Sequence, residues 1–352
     1  MHSIETFGIV GYGEFGAVSA KHLAPADSEI LVFDQNRDVV MPDGVCRADF
    51  GSVASADVVV LAVPFDAYST VLPAVASKAR EGTLIVDVCS VKVKPTQAFN
   101  TEGLFDRDEV LMTHPLFGPQ SANGGIVDKN IVVTDSKGER AHDLLGLWQE
   151  KGANITRMSP DDHDREMARV HVLPFLIGRT LLNLGITESS LGTNYFSKLL
   201  ALADLERHHS AELFATIQQH NPFAASIRSE LIAEMSVIHA QVRADTVLSG
   251  DSSDLGERLR ECREVLDLLD RYSLDILGLR FSVTKEIGRI KPKLGLSSVD
   301  TNREEEQRER IREIASEHDI PFEVAWTIHR TVLEEVVRQH EEHRLQTLQT
   351  LE

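Results

Sequence analysis

Short apolar runs recur through the first half of the chain, at residues 7–10, 30–33, 58–63, 84–88, 110–112 and 131–133. Each reads as a buried strand, because near-continuous apolar runs are what a parallel sheet covered on both faces requires. Helix-compatible segments lie between most of them, and this alternation predicts a doubly wound α/β sheet. After Ser159 the pattern changes. The stretches "PDDHDREMARVHVLPFLIGRTLLNL" and "FSKLLALADLERHHSAELFATIQQH" carry helical periodicity and no strand signals. "LSGDSSDLG", residues 248–256, then has the polar, glycine- and serine-rich composition of a linker. Beyond it, residues 259–290 are apolar at helical spacing, which predicts a helix of about 50 Å, too long for a small monomeric domain. The predicted organisation is an α/β domain over 1–158, an all-α domain over 159–247, a linker over 248–256 and a second all-α domain over 257–352.

The first apolar run leads into "FGIVGYGEFG", where Gly11, Gly13 and Gly16 spell G-x-G-x-x-G ahead of a helix-like stretch at 17–23. In that pattern the first glycine makes a tight turn, the second lets backbone amides approach a pyrophosphate, and the third brings helix close to strand. Tyr12, Glu14 and Phe15 fill the positions between. The second strand ends at Asp34, 18 residues after Gly16 (34 − 16), where a carboxylate can bond both ribose hydroxyls of an adenosine and repel a 2′-phosphate. A Rossmann-type dinucleotide-binding domain with NAD as cofactor is the expectation. The alternative is a glycine-rich turn that holds no ligand, and Arg37 is the nearby cation able to reach a phosphate.

Composition narrows the function classes. The 352 residues carry 55 acids against 36 bases, a net charge of −19, which argues against a nucleic-acid surface. No run resembles a signal peptide or a membrane span. The three cysteines, Cys46, Cys89 and Cys262, have no metal-ligand spacing, and the odd count fits a reducing cytoplasm. An anionic substrate would therefore have to be held by local cations.

Ligands of such sheets sit beyond the carboxyl ends of the strands, where "DVCSVK" (87–92) and "THPLFGP" (113–119) fall. His114, just past its strand, is placed to take a proton from a carbinol while hydride leaves for a nicotinamide. Ser90 can bond the same hydroxyl, and Lys92 can supply positive charge. The plainer alternatives are that Ser90 caps the next helix and that His114 is a satisfied turn residue.

Those motifs, with "HDREMA" and "IGRTLLNLGITESSLGTNYFSKLLALADL", resemble the prephenate/arogenate dehydrogenase family of tyrosine biosynthesis over roughly residues 5–245. The resemblance implies that His114 accepts the proton of the ring 4-hydroxyl and that Ser90 bonds that hydroxyl. It implies that the all-α domain over 159–247 serves substrate binding and dimerisation. For the ring carboxylate it leaves Arg179 and Arg207 as candidates. Phe175 stands where many members have histidine, and His171, nearby, reads as a core or surface residue. Gln120 stands where many members place an acid, which favours prephenate over arogenate and its ammonium.

In the tail, Arg280 and Lys291 lie 11 residues apart, about three turns, on one helix face. Arg263 lies 17 residues before Arg280, about 25 Å of helix, so it would have to serve a partner chain's site. Together with "VDTNREEEQRERIREIASEHDIPFEVAWTIHRTVLEEVVRQH", these cations resemble the all-helical chorismate mutases, which work as intertwined dimers, over roughly residues 257–343. That resemblance assigns the two carboxylates to Arg263 of a second chain, Arg280 and Arg303. It assigns the ether oxygen to Lys291, and the hydroxyl to Asp300 and Glu304. Val336 and His340 depart from the hydroxyl residue and the Gln or Glu usual there, with His340 the substitute donor. A homodimeric bifunctional enzyme acting on chorismate and then prephenate is the expectation. An arogenate dehydrogenase with an inactive dimerisation tail and a non-catalytic NAD-binding sensor are the alternatives.

Overall fold

The computed structural model describes residues 4–249, 255–294 and 301–349. Two compact units divide the chain, Met1–Ala233 and Glu234–Glu352. The expected 1–158 and the greater part of 159–247 thus belong to one unit.

The first unit is built on eight strands: β1 (Thr6–Val10), β2 (Glu29–Phe33), β3 (Val45–Arg47), β4 (Val58–Leu61), β5 (Leu84–Asp87), β6 (Val110–Pro115), β7 (Asn130–Lys137) and β8 (Asn154–Arg157). They form one sheet in the order β3-β2-β1-β4-β5-β6-β7-β8. The first six are parallel; β7 runs antiparallel to β6, and β8 is parallel to β7. The crossovers are α1 (Glu14–Val18), α2 (Phe50–Ala54), α3 (Tyr68–Lys78), α4 (Val93–Thr101) and α5 (Glu139–Glu150). Alternate residues of the central strands enter different cores. Val58 and Val60 pack on one face with Leu84, Val86 and Trp148, whereas Val59 and Leu61 pack on the other with Leu72, Ile85 and Phe99. Burial on both faces is the reason these strands read as unbroken apolar runs.

Two strands escape the apolar pattern. β3 and β8 are short, and apart from half-buried Ile155 and Val45 their side chains are mostly exposed, as edge strands permit. The helix expected over 17–23 begins earlier, at Glu14, and continues as a π turn over Ser19–Leu23. β6 is longer than expected: it runs through Pro115, so His114 is a strand residue paired with Val132, two positions beyond a register shift at Met112/Thr113. Such an irregularity turns the end of a strand and re-aims its side chains.

Helices α6 (Pro160–Met167), α7 (Leu173–Asn183), α8 (Asn194–Arg207) and α9 (Ala211–Ala215) follow the sheet. Ser159 caps α6, its hydroxyl accepting from Asp162 N–H. Between α6 and α7 the chain widens into a π turn, Ala168–Val172. The cause is local: Pro174 has no N–H to give the carbonyl one turn back, so the regular ladder cannot continue through it. Gly178 lets α7 approach α8 closely; a Cβ there would lie 2.9 Å from the Leu202 carbonyl oxygen and 3.2 Å from Glu206 Cβ.

Helix α10 (Ala224–Ser249) leads into the second unit, which holds α11 (Leu255–Lys293), α12 (Thr301–Glu317) and α13 (Phe322–Gln349). Helix therefore extends into both ends of the expected linker. At 39 residues, α11 is about 58 Å long. α13 packs against both α11 and α12. Arg308 and Arg312 of α12 lie 5.9 and 4.7 Å from the centre of the Phe322 ring, which pins the two helices together by cation–π contact.

Candidate active site

A cleft of about 680 Å³ opens in the first unit beyond the carboxyl ends of β1, β4, β5 and β6. Gly13, Glu14 and Phe15 form its cofactor side, Ser90 and His114 its floor, and His171, Phe175 and His209 its helical wall. Five of the residues given a cofactor or catalytic role from the sequence, Gly13, Glu14, Phe15, Ser90 and His114, are thus brought together.

The glycines behave as the pattern requires. Gly11 has φ of +92°, and a Cβ there would lie 2.5 Å from the Ala62 carbonyl oxygen; at Gly16 it would lie 2.2 Å from the Gly11 carbonyl oxygen. At Gly13 nothing lies within 4 Å, so that side of the loop has space for a ligand against the backbone. The Asp34 carboxylate accepts from Tyr12 N–H at 2.6 Å and from Asn36 N–H at 2.7 Å, which aims it across the end of the turn. These residues fit the adenosine and pyrophosphate of a dinucleotide. Arg37 is exposed, and Arg47 from β3, which the sequence reading missed, donates to the Asp34 and Val39 carbonyl oxygens beside it.

His114 is buried on all but its cleft side. Its Nδ1 lies 2.9 Å from His163 Nε2, and His163 Nδ1 lies 2.8 Å from Asp164 Oδ1. The carboxylate can only accept, so His163 Nδ1 carries a proton; His163 Nε2 then accepts from His114 Nδ1–H. His114 Nε2 is left as a lone pair toward the cleft. Burial, followed by the neighbouring His163, His171 and Lys92, holds the His114 pKa well below the usual imidazole value, so the ring is neutral at pH 7.

Asp164 has a second task. It accepts from Lys92 N–H at 2.8 Å and Val93 N–H at 2.9 Å, capping α4 from another part of the chain. Ser90 is thus left to line the cleft instead of serving as that cap. The expectation for Lys92 is corrected: its ammonium is fully buried, bonded to the Asp87 carboxylate and the Thr113 carbonyl oxygen, and does not line the cleft. It ties the ends of β5 and β6 together beneath Ser90 and His114. Asp87 also accepts from the Tyr68 hydroxyl, so the buried charge is fully engaged.

Neither arginine proposed for the ring carboxylate lines the cleft. Arg179 bonds Glu206 through Nε and Nη2 at 3.1 and 2.7 Å and stacks over Phe214; Arg207 pairs with Asp204 on the surface. His171, read from the sequence as a core or surface residue, is part of the wall. Its ring stacks on His114 with centroids 5.5 Å apart, and burial, then His209 and His163, lowers its pKa to about 4. His163, Asp164 and His209 were not singled out, although "HDREMA" contained two of them.

In the second unit Arg280 is half-buried on α11 beside His329 of α13, which burial and then the Arg280 charge keep below the usual imidazole range. His329 Nε2 lies 3.5 Å from Gln307 Oε1 of α12. Val336 is buried. Arg263 and Glu304 are exposed, and Arg303 is exposed and paired with Glu306 at 2.8 Å. Lys291 is half-buried. Asp300 and the side chain of His340 lie outside the described residues.

Fold and cleft define a Rossmann-type nucleotide-binding protein in which helices wall a buried imidazole at the strand ends. Residues 29–157 match the family model described as prephenate dehydrogenase, nucleotide-binding domain, and residues 262–341 match that of chorismate mutase type II. The chain carries a prephenate dehydrogenase nucleotide-binding domain over 29–157 and a C-terminal type II chorismate mutase domain over 262–341. Arogenate dehydrogenase 1 of Arabidopsis thaliana is 27% identical over 230 residues, which is 62% of this chain and 36% of that protein. The chorismate mutase of Methanocaldococcus jannaschii is 31% identical over 78 residues, 22% of this chain and 79% of that protein. Prephenate dehydrogenase from A. aeolicus, solved with hydroxyphenyl propionate and NAD+, shares the fold with a TM-score of 0.54 at 18% identity, covering 79% of this chain and 99% of that one. The chain spans less than two thirds of the length of the curated dehydrogenases it first matches.

Proposed function

We propose that the chain is a cytoplasmic, homodimeric bifunctional enzyme that converts chorismate to prephenate in its C-terminal unit and oxidises prephenate to 4-hydroxyphenylpyruvate in its cleft, with NAD+. The observation that carries the dehydrogenase reading is the Asp164–His163–His114 chain, which turns the His114 Nε2 lone pair toward the cleft beside the glycine turn. Prephenate is a cyclohexadiene with a carboxylate and a pyruvyl arm at C1 and a hydroxyl at C4. His114 Nε2 takes the hydroxyl proton, Ser90 orients the oxygen, the C4 hydride leaves, and the C1 carboxylate departs as CO2 as the ring becomes aromatic. A bound nicotinamide supplies the hydride acceptor. Aromatisation makes the step irreversible.

Support for the homodimer comes from the second unit. α11 leaves Leu259, Leu266, Ile276 and Val283, which share one side of the helix, between 52 and 62% exposed, a run of apolar surface that a second copy would cover. With Arg280 half-buried and Arg263 about 25 Å away along the same helix, a second chain is also the source of the missing arginine.

One observation favours arogenate as a competing substrate. Glu212 and Glu14 line the cleft, and a carboxylate there suits an ammonium where Gln120 does not. Steady-state oxidation of prephenate and of arogenate by the purified chain, each with NAD+, tests the assignment. A higher kcat/KM for prephenate supports it, and a clear arogenate preference replaces it. Consumption of chorismate without added prephenate tests the second activity.

A further inference from the structure

The substrate of the proposed dehydrogenase is a dianion, yet no lysine or arginine lines the cleft among the described residues. The wall carries instead His171 and His209 on either side of Phe175. The Phe175 and His209 rings are parallel within 5°, their centroids 4.4 Å apart, and His171 meets the other edge of the array at 4.6 Å from Phe175. His209 is not a loosely held surface residue. Its Nδ1 lies 3.1 Å from Glu206 Oε2, and Glu206, 3% exposed, is clamped through its other oxygen by Arg179. Gly178 makes this possible by letting α7 close onto Glu206.

The wall therefore repeats the logic of the floor. In one place a buried carboxylate fixes His163 and through it His114; in the other a buried carboxylate fixes His209 directly. With Nδ1–H given to Glu206, the remaining nitrogen of His209, Nε2, is the one left for the cleft.

We propose that His209 is the anion-binding group of the cleft, its protonated Nε2 meeting a carboxylate that the substrate bears at the ring carbon opposite the carbinol. The proposal rests on the dehydrogenase reading for the identity of the ligand. It places proton acceptance at His114 and charge recognition at His209, with His171 and Phe175 spacing the two. The arginine pair sought from the sequence is thereby relocated: Arg179 acts on the substrate only through Glu206 and His209, as a positioning residue. Because a neutral imidazole with Nδ1 protonated offers only a lone pair at Nε2, carboxylate binding requires proton uptake once the free ring is neutral. Affinity should then fall as pH rises through that range. The charged and titratable groups around the ring are Glu206 of α8, Arg179 of α7, His171 of the π turn, Glu212 of α9 and the adjoining His208. His171, its pKa near 4, is neutral throughout that range and does not compete for the proton.

The test is calorimetric titration of prephenate, and separately of 4-hydroxyphenylpyruvate, into the full-length protein saturated with NADH, which cannot accept the hydride, at pH 6.5 and 8.5 and in two buffers of different ionisation enthalpy. Wild type should bind prephenate with proton uptake and lose at least tenfold in affinity across that range. His209→Ala should weaken binding at least tenfold at pH 6.5 and abolish the proton uptake. His209→Arg should restore affinity and make it independent of pH. NAD+ affinity, unchanged in both variants, certifies the fold. If His209→Ala binds prephenate as wild type does, or if wild-type binding takes up no proton, or if wild type binds neither ligand, the proposal is wrong. Retained binding of 4-hydroxyphenylpyruvate by His209→Ala would assign His209 to the ring carboxylate, which that product lacks; lost binding would assign it to the pyruvyl carboxylate. Wild type that binds prephenate but does not oxidise it would overturn the dehydrogenase reading and leave His209 standing.

Discussion

His114 Nδ1 and His163 Nε2 lie 2.9 Å apart, and that contact decides which nitrogen of His114 is the base. Asp164 fixes the proton on His163 Nδ1, His163 fixes the proton on His114 Nδ1, and the cleft-facing nitrogen is left unprotonated. The residue that sets the tautomer also caps α4, so the orientation of the base and the seating of the helical segment on the sheet depend on one carboxylate.

Replacing the base should separate chemistry from binding. His114→Asn is expected to fold and bind NAD+ with unchanged affinity while kcat falls by about two to four orders of magnitude, the usual worth of a general base. In wild type, kcat/KM for the proton-abstraction step should be limited by His114 only well below pH 6.5, because its pKa is depressed by burial and by neighbouring imidazoles. Stopped-flow absorbance of NADH formation checks both. Turnover near wild type in His114→Asn would remove the role.

Asp164→Ala should act on two quantities at once. Loss of the cap on α4 should cost about 1–2 kcal/mol in stability, read as a lower denaturant midpoint. Loss of tautomer control should lower kcat by roughly 10- to 1,000-fold, less than loss of the base itself. His163→Phe, which keeps Asp164 and the cap, should lower kcat with a smaller change in midpoint. Equal stability losses in the two variants with no effect on kcat would reduce the chain of imidazoles to packing.

The sheet was legible because its central strands are buried on both faces, which leaves continuous apolar runs at positions such as Val58–Leu61. β3 and β8 were not, since edge strands need no such run. His114 could be found because a His-Pro step after an apolar run is a local signal. His163, Asp164 and His209 act through contacts 49 or more residues apart or through a wall built from three helices, and no local pattern carries that. His171, read as a core or surface residue, is largely buried yet lines the cleft, because the π turn at Ala168–Val172 brings it against His114, and no local sequence signal reports that contact. Lys92 was misread because nothing in its spacing reveals that Asp87 takes its charge.

Asp34 should set cofactor choice. Its carboxylate, already oriented by Tyr12 and Asn36 amides, accepts ribose hydroxyl bonds and repels a 2′-phosphate, so kcat/KM with NAD+ should exceed that with NADP+. Asp34→Ser should invert or erase the preference, with Arg37 and Arg47 both close enough in sequence and sheet to meet the phosphate. Equal use of both cofactors by wild type would remove the claim.

Acid should weaken the fold through the same imidazoles. His171 has a native pKa of about 4 against an unfolded value near 6.5, so between those pH values the unfolded chain binds a proton that the native state does not. Stability contributed by keeping the ring neutral is therefore intact above pH 6.5 and declines as pH falls toward 4. His171→Phe should flatten this decline in thermal midpoint while leaving the neutral-pH value little changed. A decline equally steep in the variant would assign the acid lability to other groups.

The mutase reading turns on Arg280. It is a half-buried cation of α11 beside His329 on α13, and its charge helps to hold the His329 pKa below the usual imidazole range. A guanidinium partly withdrawn from water and kept next to a neutral imidazole retains its unspent charge for an anionic ligand, whereas exposed Arg303 already shares its charge with Glu306. Arg280→Ala should therefore abolish chorismate consumption, by about two orders of magnitude or more, and leave prephenate oxidation within twofold of wild type, because Arg280 belongs to the second unit and the cleft lies wholly in the first. The same variant should raise the His329 pKa, measured by NMR titration of its ring proton, which shows that the side chain was where the structure has it. Val336, buried and apolar, removes a hydroxyl from the neighbourhood in which relatives place one, so wild-type KM for chorismate should fall on Val336→Ser. If wild type consumes no chorismate and Val336→Ser gains none, the C-terminal unit is a dimerisation module. If Arg280→Ala keeps the full mutase rate while the His329 pKa rises, the domain is active but the arginine has been assigned wrongly.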